Sequence, residues 1–445
     1  MNERTIAALS TPQGTGGIAV IRVSGNDAIL ICDKIFKGSK KLSECESHTI
    51  HYGHIVSGDK VIDEVLVAVM KAPKTYTRED IVEISTHGGA VASKLVLEEL
   101  IKQGAYPAEP GEFTKRAFLN GRIDLSQAEG IIDIINSKTA MEERNALSQA
   151  GGGLSKEIET MRASLVRLAA RMQVAIDYPD EDLEDVTLNE IGEIIKQNIE
   201  NTNKLLLTAD SGRVLKNGIK TAIVGKPNVG KSSLLNCMAK TDRAIVTDIA
   251  GTTRDVIEEF VNFDGVPLVL LDTAGIHETQ DVVEKIGVER SKQAIEEAEL
   301  VILMLDLSRR LDDEDAELLE LTKDKKRIIV ANKNDIKTET VEDAIEISVK
   351  TGDGMDKLSG EIKSLYSLGE LEAGGIVVTN LRHISSLTRV KETLERAYDA
   401  VENGLPQDLA ALDIYAAIDI LGEITGDTVS ESIVSEIFHN FCVGK

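Results

Sequence analysis

Tryptophan is absent from the 445 residues, and aromatic residues make up only 3%. A platform on which single-stranded bases stack is therefore not expected. Basic residues are in deficit too. Fifty lysines and arginines face 75 aspartates and glutamates, a formal net charge of −25. Such a chain repels phosphate backbones, so most of any broad nucleic-acid contact would come from a partner. The four cysteines, Cys32, Cys45, Cys237 and Cys442, lie far apart and form no Cys-x-x-Cys pair. Neither a zinc site nor a disulfide framework is indicated, and a reducing, cytoplasmic setting is expected. No run of about 18 uncharged apolar residues occurs, so no membrane-spanning helix is expected. Met1 to Gly25 alternates apolar and polar residues and does not read as a signal peptide.

What is present is enough apolar residue, 42%, to build real cores, in a chain long enough for about three domains. Residues 1–118 mix strand patterns (Thr5 to Leu9, Ile18 to Val23, Val61 to Met70) with a helix from Ala90 to Lys102, an α+β pattern. Residues 119–215 turn helical. Leu154, Ile158, Met161, Leu165, Leu168, Met172 and Ala175 form a heptad stripe that reads as helix–helix core. The acidic stretch from Asp177 to Asp185 follows it, either a solvated loop or a metal site. Residues 216–372 alternate apolar runs with helical stretches, which predicts a parallel sheet covered on both faces. Residues 373–445 are helical again, with a stripe from Leu387 through Val390, Leu394 and Ala397 to Val401. The third segment therefore reads as an insertion in one split helical domain.

The inserted segment carries the chemistry. Gly225-Lys226-Pro227-Asn228-Val229-Gly230-Lys231-Ser232, continuing into Ser233, lies between a strand and a helix. That is the context in which a glycine-rich loop cradles phosphates on backbone N–H groups. Lys231 is expected to reach the β- and γ-phosphates and the Ser232 hydroxyl to bind magnesium. Asp272-Thr273-Ala274-Gly275 ends a later strand. Between the two motifs, Thr247-Asp248-Ile249-Ala250-Gly251-Thr252-Thr253 offers a second magnesium hydroxyl, assigned to Thr253. Asn332-Lys333-Asn334-Asp335 follows a further strand, and the Asp335 carboxylate can accept the paired N1–H and N2–H donors of guanine. Adenine lacks that edge, so GTP is expected over ATP. Ser348-Val349-Lys350 fits the last base loop, with contact through backbone N–H. Many GTPases place a water-orienting glutamine after Asp-x-x-Gly. Ile276 stands there, so hydrolysis needs another device.

Weaker candidates remain. His48, His51 and His54 alternate faces in a strand-like segment, which disfavours a shared metal. Glu79, Asp80 and Glu83, ahead of His87-Gly88-Gly89, could polarise a ligand or be surface charges.

Taken together, these motifs resemble the tRNA-modification GTPase family usually called MnmE or TrmE, over essentially the whole chain. The most specific pieces are Thr77-Arg78-Glu79-Asp80, His87-Gly88-Gly89, Pro110-Gly111-Glu112-Phe113-Thr114, Ala117-Phe118-Leu119-Asn120-Gly121, Asp177-Tyr178-Pro179-Asp180 and the tail Phe441-Cys442-Val443-Gly444-Lys445. The resemblance implies a multidomain α/β protein with an α+β folate-binding and dimerisation domain, a split helical domain and an inserted Ras-like P-loop GTPase domain. It implies a homodimer that, with a flavin-containing partner (MnmG, or GidA) in a heterotetramer or larger complex, modifies the 5-position of the wobble uridine of certain tRNAs. The addition is of the carboxymethylaminomethyl type. It implies 5-formyltetrahydrofolate or another tetrahydrofolate derivative on Arg22, Glu83, Arg122 and Lys445, although some relatives carry lysine where Arg122 stands. It supplies the missing device as well. G domains pair across the nucleotides, with potassium in the place of an arginine finger, held by Asn228, Thr247, Ile249 and Thr252. Glu284 matches the residue that orients water, and Cys442 is the tail cysteine. Two rivals remain: a ribosome-assembly RNA-binding GTPase, disfavoured because residues 373–445 are not notably basic, and a non-catalytic GTP switch.

Overall fold

Two hydrophobic patterns of different period produce two kinds of layer. The computed structural model describes residues 4–177, 187–241, 259–271, 293–368 and 375–445. They fall into two compact units.

The first unit comprises residues 4–132, 150–159 and 419–445. Its sheet has seven strands: β1 (Ile6–Leu9), β2 (Ile18–Ser24), β3 (Phe36–Gly38), β4 (Thr49–Ser57), β5 (Lys60–Met70), β6 (Ile81–His87) and β7 (Tyr106–Pro107). Their order is β3-β4-β5-β6-β2-β1-β7, antiparallel except for the β1–β7 pair. The period-2 alternation sends Ile21, Val23, Val65, Val67, Val82 and Ile84 to one face. Helices Ala28–Ile35 and Ala90–Lys102 cover that face through Ile31, Ile35, Val96 and Leu100. The other face carries Arg22 and Glu83, directly opposite each other on β2 and β6. In the same unit the helix Glu431–His439 buries Phe438 beside Phe118 and Leu125.

The second unit comprises residues 133–149 and 160–418. Its six-stranded sheet contains β8 (Ile219–Val224), β9 (Glu259–Phe263), β10 (Val266–Leu270), β11 (Leu300–Asp306), β12 (Arg327–Asn332) and β13 (Ile345–Glu346), ordered β13-β12-β11-β8-β10-β9. The expected all-parallel sheet needs one correction. β9 runs antiparallel to β10. The turn between them, Asp264-Gly265, has both φ angles positive, 51° and 85°, which is the two-residue hairpin chemistry that joins antiparallel strands. Apolar clusters on both faces, one built on Leu234, Met238, Ile302 and Leu358 and the other on Ala222, Leu271, Ile295 and Val301, give the doubly covered sheet. The leucine and methionine stripe is buried in the helix Gly153–Asp177 as expected, except that Ala175 is only half-buried. Helices Leu188–Leu207 and Leu381–Glu402 pack together, with Gly192 facing Tyr398 and Val401. The helical segments before and after the inserted sheet thus meet. Among the described residues no helix is long and apolar enough to cross a membrane.

Candidate functional site

In the second unit, β8 delivers its last residue into the glycine-rich loop, and Lys231 opens the helix Lys231–Thr241. The loop needs left-handed backbone: Asn228 has φ 64° and Gly230 has φ 107°. A Cβ on Gly230 would lie 2.3 Å from Nδ2 of Asn332, so only glycine fits there. The Lys231 ammonium donates to the carbonyls of Gly225 (2.6 Å) and Lys226 (2.8 Å). Burial pulls its pKa below the ordinary lysine value, so an anion brought to the loop gains a counter-charge that the protein has already desolvated. Ser232 and Ser233 follow on the exposed first turn.

Asn332 joins three motifs. Its Nδ2 donates to the Val229 carbonyl (2.8 Å) and its Oδ1 accepts from the Val349 N–H (3.1 Å). The Val349 amide, expected to face a base, is thus engaged by Asn332, while the valine side chain packs against the core. Lys333 has φ 68° and its ammonium lies 2.6 Å from Asp306 Oδ2. Burial of Asp306 opposes its charge, but Lys333 and two bonds from Ser308 outweigh this and hold the carboxyl below the ordinary range. Asp335 is fixed by the Ser348 hydroxyl, which donates to Oδ1 at 2.8 Å. Lys350 is exposed. The arrangement presents a glycine-bearing loop at a helix N-terminus, one desolvated cation and one oriented carboxylate. It suits a nucleotide with a paired donor edge.

Sequence reasoning passed over Lys226. Its ammonium reaches Asp312 (2.6 Å) and Glu314 (2.8 Å), at the start of the helix Asp313–Leu321. The acidic Asp312 to Asp315 run was the available signal. Thr247, Asp248, Ile249, Ala250, Gly251, Thr252, Thr253, Asp272, Thr273, Ala274, Gly275, Ile276 and Glu284 lie outside the described residues, as does most of the acidic stretch after Asp177.

In the first unit, Arg22, Glu83 and Arg122 come together around Tyr76. Nε and Nη2 of Arg22 both contact Oε1 of Glu83 at 2.8 Å. The Arg22 guanidinium lies 5.5 Å from the Tyr76 ring centre and 5.6 Å from that of Phe113, and Arg122 lies 4.7 Å over Tyr76. Oε2 of Glu83 takes no hydrogen bond from another described residue. Glu79 is neither a surface charge nor a free ligand. It accepts from Ser24 (2.8 Å) and pairs with the buried Arg116 (3.1 Å), which also holds Glu112. Asp80 accepts the Ala72 N–H. Among the described residues no group of three His, Cys, Asp or Glu could hold a metal.

The C-terminal tail docks on the same unit. Phe441 is buried, Pro110 and Val443 form a β-bridge, and Ser10 Oγ donates to the Gly444 carbonyl at 2.9 Å. A Cβ on Gly444, at φ 96°, would lie 2.3 Å from the Leu9 carbonyl. Leu9 and Ala8 pair with Ile21 and Arg22, so the tail ends beside the strand pair that carries Arg22, with Lys445 half-buried. Val443 is 55% exposed and docks by backbone alone. Cys442 is exposed.

Residues 5–122 match the family model described as GTP-binding protein TrmE N-terminus, and residues 125–442 that of the MnmE helical domain. Proteins named tRNA modification GTPase MnmE from Lactobacillus helveticus and Lactobacillus acidophilus are each 50% identical over 453 residues, covering 99% of this chain and 98% of theirs. The protein of that name from Acetivibrio thermocellus is 48% identical over 456 residues, 100% of this chain and 99% of its own.

Proposed function

From the premise that the chain belongs to the tRNA modification GTPase MnmE family and is a GTP hydrolase acting in tRNA modification, we propose a potassium-stimulated GTPase that works as a homodimer in the cytoplasm. With the flavoprotein MnmG it modifies the 5-position of the wobble uridine. The observation that carries the nucleotide half is the Asn332 brace, with Asp335 oriented by Ser348.

The chemistry is attack of water on the γ-phosphorus and cleavage of the β–γ bridging P–O bond, releasing GDP and phosphate. Lys231 and the loop amides at Asn228, Val229, Gly230, Ser232 and Ser233 hold the phosphates and draw off charge as it moves to the bridging oxygen. Asn332, Lys333, Asp335, Ser348, Val349 and Lys350 hold the base. Ser232, exposed at the start of its helix beside the loop, suits a magnesium ion shared with Thr253, and Asp272 to Gly275 would complete that side. Magnesium, when bound, neutralises phosphate charge. Potassium, in the role of an arginine finger, would be held by Asn228, which is exposed on left-handed backbone in the loop, together with Thr247, Ile249 and Thr252. Glu284 would orient the water.

The proposal extends to a folate in the first unit. Arg22 and Glu83 touch, so they serve one end of a ligand and not both. Glu83, with Oε2 uncommitted, accepts the pterin donor pair, and Arg22 fixes its carboxylate. Tyr76 supplies a ring face, and Arg122 with Lys445 lies on the anionic side. Cys442 is the tail thiol at this site. The segments 1–118, 119–215, 216–372 and 373–445 remain the proposed domains.

Steady-state phosphate release from GTP and ATP, in potassium and in sodium, tests the catalytic half. GTP-selective turnover stimulated by potassium is expected; equal turnover in both salts overturns the potassium proposal. Wobble-nucleoside analysis of tRNA from cells lacking the protein tests the pathway.

A further inference from the structure

Beside Tyr76 and Arg122 opens a cavity of about 410 Å³, whose wall also includes His48, Lys74, Arg78 and the apolar Met70 and Pro73. Its electrostatics run against the chain as a whole. In a protein with 25 more acids than bases, Lys74, Arg78 and Arg122 gather at one opening. None of the three has a carboxylate partner among the described residues. Arg78 donates to the Asn120 carbonyl (2.8 Å) and Arg122 lies over Tyr76. The nearby acids are turned elsewhere: Glu79 to Arg116 and Ser24, and Asp80 to the Ala72 amide. His48, on left-handed backbone at φ 63°, adds a ring nitrogen hydrogen-bonded to Ser47.

The cavity shares Tyr76 and Arg122 with the proposed folate site, and the Arg22–Glu83 pair occupies the pterin end. The cationic opening therefore lies where a folate's glutamate leads out. We propose that this cavity binds the γ-linked glutamyl chain of polyglutamylated folate, so that the chain selects folates carrying two or more additional glutamates over the monoglutamate. This rests on the folate reading. Each γ-glutamyl unit adds one carboxylate, so a triglutamate adds two. Arg122 serves the glutamate already present, and Lys74 and Arg78, without a carboxylate partner among the described residues, match the two added ones. An exposed cation–carboxylate contact contributes modestly, and two together amount to about tenfold in affinity, falling with added salt. A phosphate polyanion such as an RNA backbone fits less well. The opening is a short, mostly apolar depression rather than an extended basic stripe, and the surrounding chain is acidic.

The test is calorimetric titration of the full-length protein with 5-formyltetrahydrofolate bearing one, three or five glutamates, at two salt concentrations. The triglutamate is expected to bind about tenfold more tightly than the monoglutamate, with the difference shrinking at high salt. Lys74→Glu, at an exposed position with no partner among the described residues, is expected to abolish that difference while changing monoglutamate affinity less than about twofold. Equal affinity of wild type for mono- and triglutamate overturns the proposal. So does a variant that weakens both ligands equally, or a Lys74-dependent affinity for tRNA in the absence of a polyglutamate preference. Failure of wild type to bind any of the three folates instead defeats the folate site itself, an outcome separate from loss of the increment.

Discussion

Replacing Asn332 with alanine should uncouple the phosphate loop from the base loops. The side chain is buried, and it satisfies one carbonyl of the phosphate loop and one amide of the Ser348-Val349-Lys350 loop. Alanine leaves both backbone groups without partners. Each such loss costs about 1–3 kcal/mol, so the pair amounts to about 2–6 kcal/mol. In a unit of this size that is roughly 5–20 °C in melting temperature. GTP affinity should fall by at least about tenfold, since only 1.4 kcal/mol of lost loop register is needed for that.

Two controls separate the brace from general destabilisation. Leu358→Ala truncates a fully buried core residue of the same unit, and should lower the melting temperature while sparing GTP affinity well below it. Gly230→Ala forces a Cβ against Nδ2 of Asn332. It should therefore be less damaging in the Asn332→Ala background than alone, a coupling that a double-mutant cycle reads directly. Unchanged melting and GTP affinity in Asn332→Ala, or strict additivity of the pair, would refute the reasoning.

Asp335→Asn should lose GTP affinity by on the order of 10²-fold and favour xanthine nucleotides, because the amide offers one acceptor and a donor in place of two acceptors; unchanged GTP affinity in a titration would refute it. Glu83→Gln keeps one acceptor for Arg22 but replaces the uncommitted oxygen by a donor, so formyl-tetrahydrofolate should bind about tenfold or more weakly, with wild-type affinity showing the site misplaced. His87 has its pKa raised above 6.5, chiefly by its hydrogen bond to Asp63 and then by that carboxylate's charge. The stability from this pair is full below pH 6.5 and is lost as pH rises through the folded value, so Asp63→Asn should flatten that part of the melting-temperature profile. A wild-type-shaped profile would count against the pair. Cys442 is exposed, so Cys442→Ser should leave melting and GTP turnover unchanged while abolishing wobble modification in cells. Full modification would show the thiol dispensable, and loss of both activities would point to a structural role.

How much of this was legible in the sequence depends on whether a site is contiguous. The phosphate loop is eight successive residues from Gly225 to Ser232, each constrained by the next, and its place between strand and helix follows from the same stretch. Asn332 and Asp335 also lie in one short run. Their types imply a base contact, but nothing in the run says that Asn332 reaches Val229 and Val349, 103 and 17 positions away. β9 was missed although Asp264-Gly265 marks a hairpin, because Glu259-Phe260-Val261-Asn262-Phe263 has only a weak apolar alternation. The heptad stripes were legible because burial at heptad spacing is a local rule.

The folate site shows the other limit. Arg22 and Glu83 are 61 positions apart and meet only because β2 and β6 pair in one register. A slip of one residue would send Glu83 to the helix-covered face. The family resemblance supplies both residues as ligands but no geometry, and so does not say that the two touch. Glu79 and Glu83 illustrate the same point from one short stretch of sequence. They have the same charge and lie four positions apart, yet Arg116, from a distant helix, consumes Glu79, while Arg22 leaves one oxygen of Glu83 available. Which carboxylate can serve a ligand is decided by the cation opposite it, and that cation is chosen by strand register and helix placement.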